Sequence, residues 1–293
     1  MGNNRFLLAV SGGPDSMALL DQYGNDCTGV LHVNYHKRDS SERDQLIVEN
    51  YCKLHNIPVF VEHFKKTSSN EGKNQNFQTV ARLFRYHFFQ NKCIELGVNT
   101  VYVAHHWNDF IETAWMQVQR KSKTLFLGIK QTNTVFGIKI FRPFLNTKKV
   151  SLIDYCHQHK IPYGIDESNL LPVYSRNKAR IEIASWTAER ILEFEKYVLS
   201  FNKNNEAKLK SIHKSFDLWK QTEYNIDFFE SLDIDYQPHI LYLFLWSLAV
   251  TPNTNKINLI QDFIKKGNSK KNLRIACNVF LKVQKNCLIV FNN

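Results

Sequence analysis

The sequence has no long hydrophobic segment. None of its apolar runs approaches the roughly 18 consecutive residues that cross a bilayer. The opening stretch MGNNRFLLAV lacks the basic start and long apolar core of a signal peptide. With 43% hydrophobic and 13% aromatic residues, the 293-residue chain can still bury a sizeable core. We therefore expect a soluble, cytoplasmic protein without membrane contact, built as one larger and one smaller domain.

Cysteine is scarce and scattered. The six cysteines lie at positions 27, 52, 93, 156, 277 and 287, and no two of them form a CxxC pair. This spacing excludes the usual paired-thiol zinc site, iron–sulfur ligation and redox couple. We expect these cysteines to be ordinary reduced core residues.

Two common nucleotide-binding motifs are also missing, because neither GxxxxGK[ST] nor GxGxxG occurs. Instead, the stretch FLLAVSGGPDSMALL leads from an apolar strand through a short loop into a helix. Two glycines let the loop backbone approach a ligand closely. The loop amides are expected to point outward at the amino end of the helix, where phosphate binding is favoured. The loop therefore reads as an ATP pyrophosphate site formed by Ser11, Gly12, Gly13, Pro14, Asp15 and Ser16.

Asp15 suits a Mg²⁺ ion that bridges ATP phosphates. The alternative is a plain strand-to-helix turn capped by Asp15 or Ser16. That alternative accounts for one glycine and a cap, but not for both glycines, the proline and the acid together.

The hydrophobic pattern predicts an α/β fold. Short apolar runs at 6–10, 29–35, 58–64 and 100–105 are each followed by a longer amphipathic segment. This order is typical of a mostly parallel sheet with helices on both faces. After about residue 186 the pattern indicates helices near 187–220, 236–250 and 256–266, and then a β-hairpin. We therefore predict a catalytic domain at 1–186 and a smaller, mainly helical region at 187–293.

The net charge of +11 favours a polyanionic partner such as nucleic acid. Between Lys256 and Lys285 there are eight Lys and Arg residues against one acid, Asp262. This local excess predicts nucleic-acid contact by Lys265, Lys266, Lys270 and Lys271. The alternative for the same residues is a solvated helix and hairpin surface.

Titratable residues concentrate after the fourth apolar run. Asp109 and Glu112 lie three apart at a predicted helix start, so both can face one site together with His105 and His106. The alternatives are a helix cap for Asp109 and a first-turn acid for Glu112.

Two further arginines lie on another predicted helix. Arg82 and Arg85 are three residues apart and share a helix face that could meet phosphate. The alternative for this pair is an ordinary salt-bridged surface.

Several of these stretches resemble a known family. SGGPDS resembles the SGGxDS loop of the N-type ATP pyrophosphatases, the PP-loop superfamily with its adenine nucleotide alpha hydrolase-like fold. The tRNA(Ile)-lysidine synthetases, one branch of that superfamily, are similar in four further stretches: HVNYHKRDSSERD (32–44), ARLFRY (81–86), AHHWNDFIET (104–113) and FRPFL…DESN…RNKAR (141–180).

The resemblance implies an enzyme that uses ATP to join free L-lysine to C2 of the wobble cytidine in the CAU anticodon of tRNA(Ile), through an adenylated tRNA. This change would switch decoding from AUG to AUA. It implies catalytic roles for Asp15, Arg82, Asp109 and Glu112, with Mg²⁺ at Asp15. It further implies lysine binding by Asp109, Glu112 and His106, and tRNA binding by Arg176 and Arg180.

Other functions stay open at this point. A tRNA thiolase or an amidating synthetase could use the same loop. The missing CxxC disfavours thiolation, and the basic segment 256–285 disfavours a reaction on small molecules alone. A non-catalytic RNA-binding protein is a further alternative, but the presence of Asp15 and of the acid pair Asp109 and Glu112 argues against it.

Two polar segments are candidate lids or RNA-facing loops. They span 65–76 and 121–128.

Overall fold

The computed structural model describes residues 5–37, 40–64, 77–165, 175–248, 250–267 and 271–292. The chain forms two compact units, residues 1–201 and 202–293. The division falls later than the boundary expected near 186, inside a helix that spans Ala188–Asn204. The assignment of catalysis to 1–186 and of tRNA contact to 187–293 stays a prediction.

A six-stranded sheet forms the centre of the first unit. Its strands are β1 (Leu7–Ala9), β2 (Gly29–Asn34), β3 (Val59–His63), β4 (Thr100–Val103), β5 (Thr132–Val135) and β6 (Ile138–Phe141). The spatial order is β3-β2-β1-β4-β6-β5, and all neighbours are parallel except β5, which runs antiparallel to β6. The predicted mostly parallel sheet is confirmed.

Helices cover both faces of this sheet. The helices that begin in the first unit are α1 (Pro14–Tyr23), α2 (Ser40–Leu54), α3 (Phe77–Glu95), α4 (Trp107–Gln119), α5 (Lys149–Gln158), α6 (Ser175–Ala184) and α7 (Ala188–Asn204). Successive strand residues point to opposite faces. Leu8 accordingly packs with α1, α2 and α5, whereas Leu7 packs with α3.

The hairpin of β5 and β6 was not predicted. Its turn contains Phe136 and Gly137, both with positive φ, at +50° and +79°. Such a turn joins antiparallel strands tightly. As a result β6 lies parallel beside β4, and β5 forms the sheet edge.

The second unit combines helices with a small antiparallel sheet. Its helices are α8 (Glu206–Gln221), α9 (Ile226–Ser231), α10 (Gln237–Ser247) and α11 (Thr254–Lys265), and its strands are β7 (Leu273–Arg274), β8 (Val279–Gln284) and β9 (Cys287–Asn292). The helical segment predicted over 187–220 forms two helices, because the helix is interrupted at Asn205. The predicted hairpin is confirmed as β8 and β9, with β7 as a third strand.

All six cysteines are free thiols. Cys52, Cys93 and Cys156 are buried as expected. For Cys277 the expectation of a core position was wrong, because this residue is exposed in the connection between β7 and β8.

In the described part of the chain, no helix combines the length and the apolar character needed to cross a membrane.

Candidate active site

The loop between β1 and α1 is a tight glycine turn. Gly12 has φ +88°, and a Cβ atom there would lie 2.7 Å from the carbonyl oxygen of Asp44. Both the backbone angle and the close approach therefore require glycine at this position. The Ser16 hydroxyl donates to the Gly13 carbonyl (2.9 Å) and accepts from the Ser11 amide (3.1 Å). These bonds fix the loop at the amino end of α1.

The cap of α1 differs from the plain-turn alternative. Gly13 is the residue at the cap position, with no side-chain cap, and Pro14 begins the helix. Neither Asp15 nor Ser16 is therefore the cap, and the Asp15 carboxylate is not used to terminate the helix. Because no side chain caps this positive helix end, it is a place where an anion can bind.

The Asp15 carboxylate lies among cationic or ionisable groups. Its Oδ2 atom is 3.5 Å from His106 Nε2 and 4.0 Å from Lys149 Nζ. Its Oδ1 atom is buried and has no hydrogen-bond partner among the described residues. A buried carboxylate oxygen without a donor is costly unless a ligand satisfies it.

This orphaned oxygen fits a bound cation. Within the described ranges, no cluster of three or more His, Cys, Asp or Glu side chains could hold a metal by itself. Mg²⁺ commonly binds through one or two carboxylates, with substrate phosphates and water completing its ligands. Asp15 is the residue that would hold such an ion.

The start of α4 brings the predicted acids to the loop. His106 is the cap residue: its Nδ1 atom accepts from the Asp109 amide (3.4 Å), while the His106 amide donates to Asp109 Oδ2 (3.0 Å). His106 is therefore the cap, and Asp109, the third residue of the helix, is its capping-box partner and not the cap itself. His106 Nε2 also lies 3.5 Å from Asp109 Oδ2, the same distance as from Asp15.

Two arginines of α6 complete the cluster. Arg176 donates to Asp109 Oδ1 and to Glu112 Oε2, both at 2.9 Å. Arg180 donates to Glu112 Oε1, also at 2.9 Å. Glu112 is only 3% exposed, and both of its oxygens are occupied by guanidinium groups. Acids and arginines that lie more than 60 residues apart therefore form one ion network beside the loop.

A protein-family model for the PP-loop domain matches residues 1–186. The chain is 41% identical to the tRNA(Ile)-lysidine synthase of Ureaplasma parvum over 99% of its own length and 88% of that relative. It is 37% identical to the tRNA(Ile)-lysidine synthase of Malacoplasma penetrans, over 96% of each chain. This chain belongs to the tRNA(Ile)-lysidine synthase family.

The fold likeness extends beyond this family. A solved U34-tRNA thiolase from Methanococcus maripaludis aligns with a TM-score of 0.57 over 70% of this chain and 72% of its own, at 16% identity. That likeness supports the PP-loop fold and says nothing of the reaction.

In this family member, the charges of Asp109 and Arg180 are maintained by their neighbours. Burial raises the pKa of Asp109, but His106 and Arg176 outweigh it, and the pKa falls below its usual range. Burial likewise opposes the charge of Arg180, yet the bond to Glu112 raises its pKa. Asp109 and Arg180 are therefore both ionised at neutral pH.

A buried arginine that the sequence analysis missed lies beside the cluster. Arg142 donates to His105 Nδ1 (3.1 Å), to the Lys130 carbonyl (2.8 Å) and to Asn133 Oδ1 (2.6 Å). Burial lowers the pKa of His105 to about 3, so the imidazole is neutral and accepts from the arginine. Arg142 is part of the FRPFL stretch, and that motif was the available signal.

Lys149 is a second group that the sequence analysis missed. It is the first residue of α5, and its backbone amide donates to Asn108 Oδ1 (2.9 Å). This bond ties the start of α5 to the first turn of α4. The PP loop itself contains no lysine, and Lys149 supplies a cation from a distant segment.

The remaining predicted residues are placed as follows. Arg82 is exposed, and its guanidinium lies 4.8 Å from the Tyr86 ring, which Arg85 approaches at 5.6 Å. Both guanidinium groups lie near one ring, and a phosphate-binding face and a catalytic role for Arg82 stay predictions. Lys265, Lys266 and Lys271 are exposed. Lys270 and the candidate lid 65–76 lie outside the described residues.

Proposed function

We propose that this protein is an ATP-dependent tRNA(Ile)-lysidine synthase that acts in the cytoplasm. Its reaction would join free lysine to C2 of the wobble cytidine in the CAU anticodon of tRNA(Ile). Family membership supports the reaction class. The observation that carries the proposal is the position of His106 between the ATP loop and the buried acids. Its Nε2 atom lies 3.5 Å from Asp15 Oδ2 in the loop and 3.5 Å from Asp109 Oδ2.

The first step activates the cytosine. Its C2 oxygen attacks the α-phosphorus of ATP, pyrophosphate leaves, and the tRNA carries AMP on that oxygen. The loop amides at the start of α1 would bind the phosphates, and Lys149 offers a positive charge 4.0 Å from Asp15. A Mg²⁺ ion held by Asp15 would supply further charge neutralisation to the triphosphate.

The second step needs an uncharged lysine amine. At pH 7 a free ε-amine has a pKa of about 10.4, and its deprotonation costs roughly 4.6 kcal/mol. Asp109 and Glu112 can attract the ammonium and hold it for proton loss. The amine then attacks C2, and AMP leaves with the former C2 oxygen.

The arginines impose a condition on this step. Because Arg176 and Arg180 occupy both oxygens of Glu112, an arriving ammonium must share or replace a guanidinium. A displaced arginine can then pair with the phosphate of the adenylated tRNA, which is the anion formed in the first step. This exchange would join the lysine-binding role of the acids to the tRNA-binding role predicted for the arginines.

Binding of the tRNA itself would use positive charge elsewhere. Lys265, Lys266, Lys270 and Lys271 are the predicted contacts, in a segment with a local charge of +7 between residues 256 and 285. Phosphate contacts of this kind give an affinity that falls steeply with salt.

The decisive experiment measures pyrophosphate release with ATP, tRNA and lysine supplied singly and together. We expect release that depends on a tRNA(Ile) transcript with a CAU anticodon, and lysine incorporation only with all three. A tRNA(Met) transcript with the same CAU anticodon serves as the matched control and should stay unmodified.

Each alternative gives a different pattern in this assay. Incorporation of sulfur instead of lysine would support a thiolase. Release that ignores tRNA would support a small-molecule synthetase. Tight tRNA binding with no pyrophosphate under any condition would support a non-catalytic RNA-binding protein.

A further inference from the structure

The small sheet of the second unit carries an unusual outer surface. Phe280 on β8 pairs directly with Phe291 on β9, and Arg274 on β7 pairs with Phe280 from the other side. Lys282 pairs with Ile289 on the same face. We call these five residues the aromatic face.

The opposite face of the sheet packs against the core of the second unit. Leu281, Val283 and Leu288 point inward and are buried. An antiparallel sheet with one face on the core normally presents polar residues on the other. Here Phe280 and Phe291 are partly exposed on the outer face, with their rings stacked at 5.6 Å and 25°.

Cations flank these rings. The Arg274 guanidinium lies 5.9 Å from the Phe280 ring, and Lys282 Nζ lies 5.7 Å from the Phe291 ring. The segment 271–292 contains four Lys and Arg residues and no Asp or Glu. A surface of this composition suits a polyanion that also offers flat apolar groups, which describes nucleic acid with unpaired bases.

We propose that the aromatic face binds unpaired nucleotides of the tRNA, with bases stacking on Phe280 and Phe291 and with Arg274 and Lys282 contacting adjacent phosphates. This inference rests on the proposed function for the identity of the RNA. It assigns to the sheet a role distinct from that of Lys265, Lys266 and Lys271, which offer charge without aromatic rings.

The test measures tRNA binding by fluorescence anisotropy over a range of salt concentrations. Loss of a base stack weakens binding by about 5- to 150-fold, so the double variant Phe280→Leu with Phe291→Leu should bind at least fivefold more weakly. Its salt dependence should be unchanged, because no charge is lost. Phe291→Tyr retains a flat ring and should bind like the parent protein.

Charge variants give the complementary signature. Arg274→Gln and Lys282→Gln should each reduce the slope of log affinity against log salt by about 0.7 to 0.9. Lys210→Gln is the matched control, because Glu206 already pairs with Lys210 at 2.6 Å, and it should leave the slope unchanged. Melting curves of all variants verify that the second unit is folded.

Ligand variants separate the sources of the bases. An anticodon stem–loop and a tRNA without its single-stranded 3′ end identify which unpaired segment loses affinity in the leucine variant. The proposal is overturned if the leucine variant binds tRNA normally. It is also overturned if the variant loses affinity equally for heparin or for fully paired RNA, since neither offers unpaired bases.

Failure of the proposed function would look different. In that case the parent protein would bind tRNA through the aromatic face but release no tRNA-dependent pyrophosphate. If the proposed function holds, saturating tRNA should restore pyrophosphate release in the leucine variant, because the face touches no reacting group.

Discussion

Replacing Glu112 by glutamine is a sharp test of the ion network. The substitution keeps the size and shape of the side chain and removes one negative charge. In the structure, Glu112 Oε1 accepts from Arg180 and Oε2 accepts from Arg176. Glutamine offers a single acceptor oxygen, and its NH₂ group would face an arginine N–H, so one guanidinium loses its partner.

The geometry bounds the size of the effect. Breaking a buried ion pair by removing one partner costs about 3–5 kcal/mol. Here the arginine side chains are 38% and 35% exposed, so water compensates in part, and Asp109 still pairs with Arg176. We expect a loss of about 1.5–3 kcal/mol in unfolding free energy, the range for hydrogen bonds to charged groups. For a unit of this size that is roughly 3–12 °C in melting temperature.

Calorimetric melting and a mass-spectrometric assay of the tRNA product measure the two consequences separately. We expect Glu112→Gln to yield tRNA that carries AMP but little lysine, with partial rescue at high lysine concentration. A double-mutant cycle with Arg180→Met should give a coupling of about 0.5–3 kcal/mol, as for residues in direct contact.

Glu182→Gln is the matched control for this experiment. Glu182 lies 3.6 Å from Arg190, and both side chains are about half exposed, so the pair should contribute less than about 0.5 kcal/mol. If Glu112→Gln melts like the control, the network does not contribute as its geometry requires. If adenylation and lysine transfer fall together while lysine affinity is normal, the acid belongs to ATP binding instead.

Three further predictions concern the loop and the thiols. Asp15→Asn should fold normally, because a single partly exposed acid adds little stability. The variant should lose Mg²⁺-dependent pyrophosphate release, and undiminished release would contradict a metal-binding role for Asp15. Lys149→Gln should slow pyrophosphate release by about 100-fold, while Lys148→Gln, whose amine lies over an aromatic ring instead, should not; equal rates for the two variants would exclude the phosphate role. Iodoacetamide at pH 8 should label exposed Cys277 first and Cys52 last, because burial raises the pKa of Cys52 to about 12 and leaves little thiolate; peptide mass spectrometry showing the reverse order would contradict the buried placement.

The parts of the fold that local pattern encodes could be predicted from the sequence. The loop from Ser11 to Ser16 combines a strand, two glycines and a helix start within a few residues, so its position and geometry follow from short-range rules. The four parallel strands were readable for the same reason. The strands TNTV and IKIF were missed because TNTV is mostly polar and Lys139 interrupts IKIF, so neither shows an apolar run like those that marked the first four strands.

The contacts within the site depend on long-range folding and were only partly predictable. Asp109 and Glu112 could be placed on one helix face from their spacing. That Lys149 lies beside Asp15 and that Arg142 donates to His105 could not be predicted, because the sheet order β1-β4-β6 brings these segments together. Nothing local in the sequence encodes which distant side chain meets a given carboxylate.

The two arginines of α6 show how burial decides between interpretations that spacing leaves open. Arg176 and Arg180 lie one helical turn apart, a spacing that suits two phosphates of RNA as well as one carboxylate. The choice follows from Glu112, which sits with Ile111 and Ala114 in a helix with few exposed positions. A buried carboxylate without cationic partners is too costly to persist. A buried acid in an apolar helix therefore predicts that cations will pair with it, without predicting which ones, and any phosphate that reaches Arg176 and Arg180 must compete with Glu112.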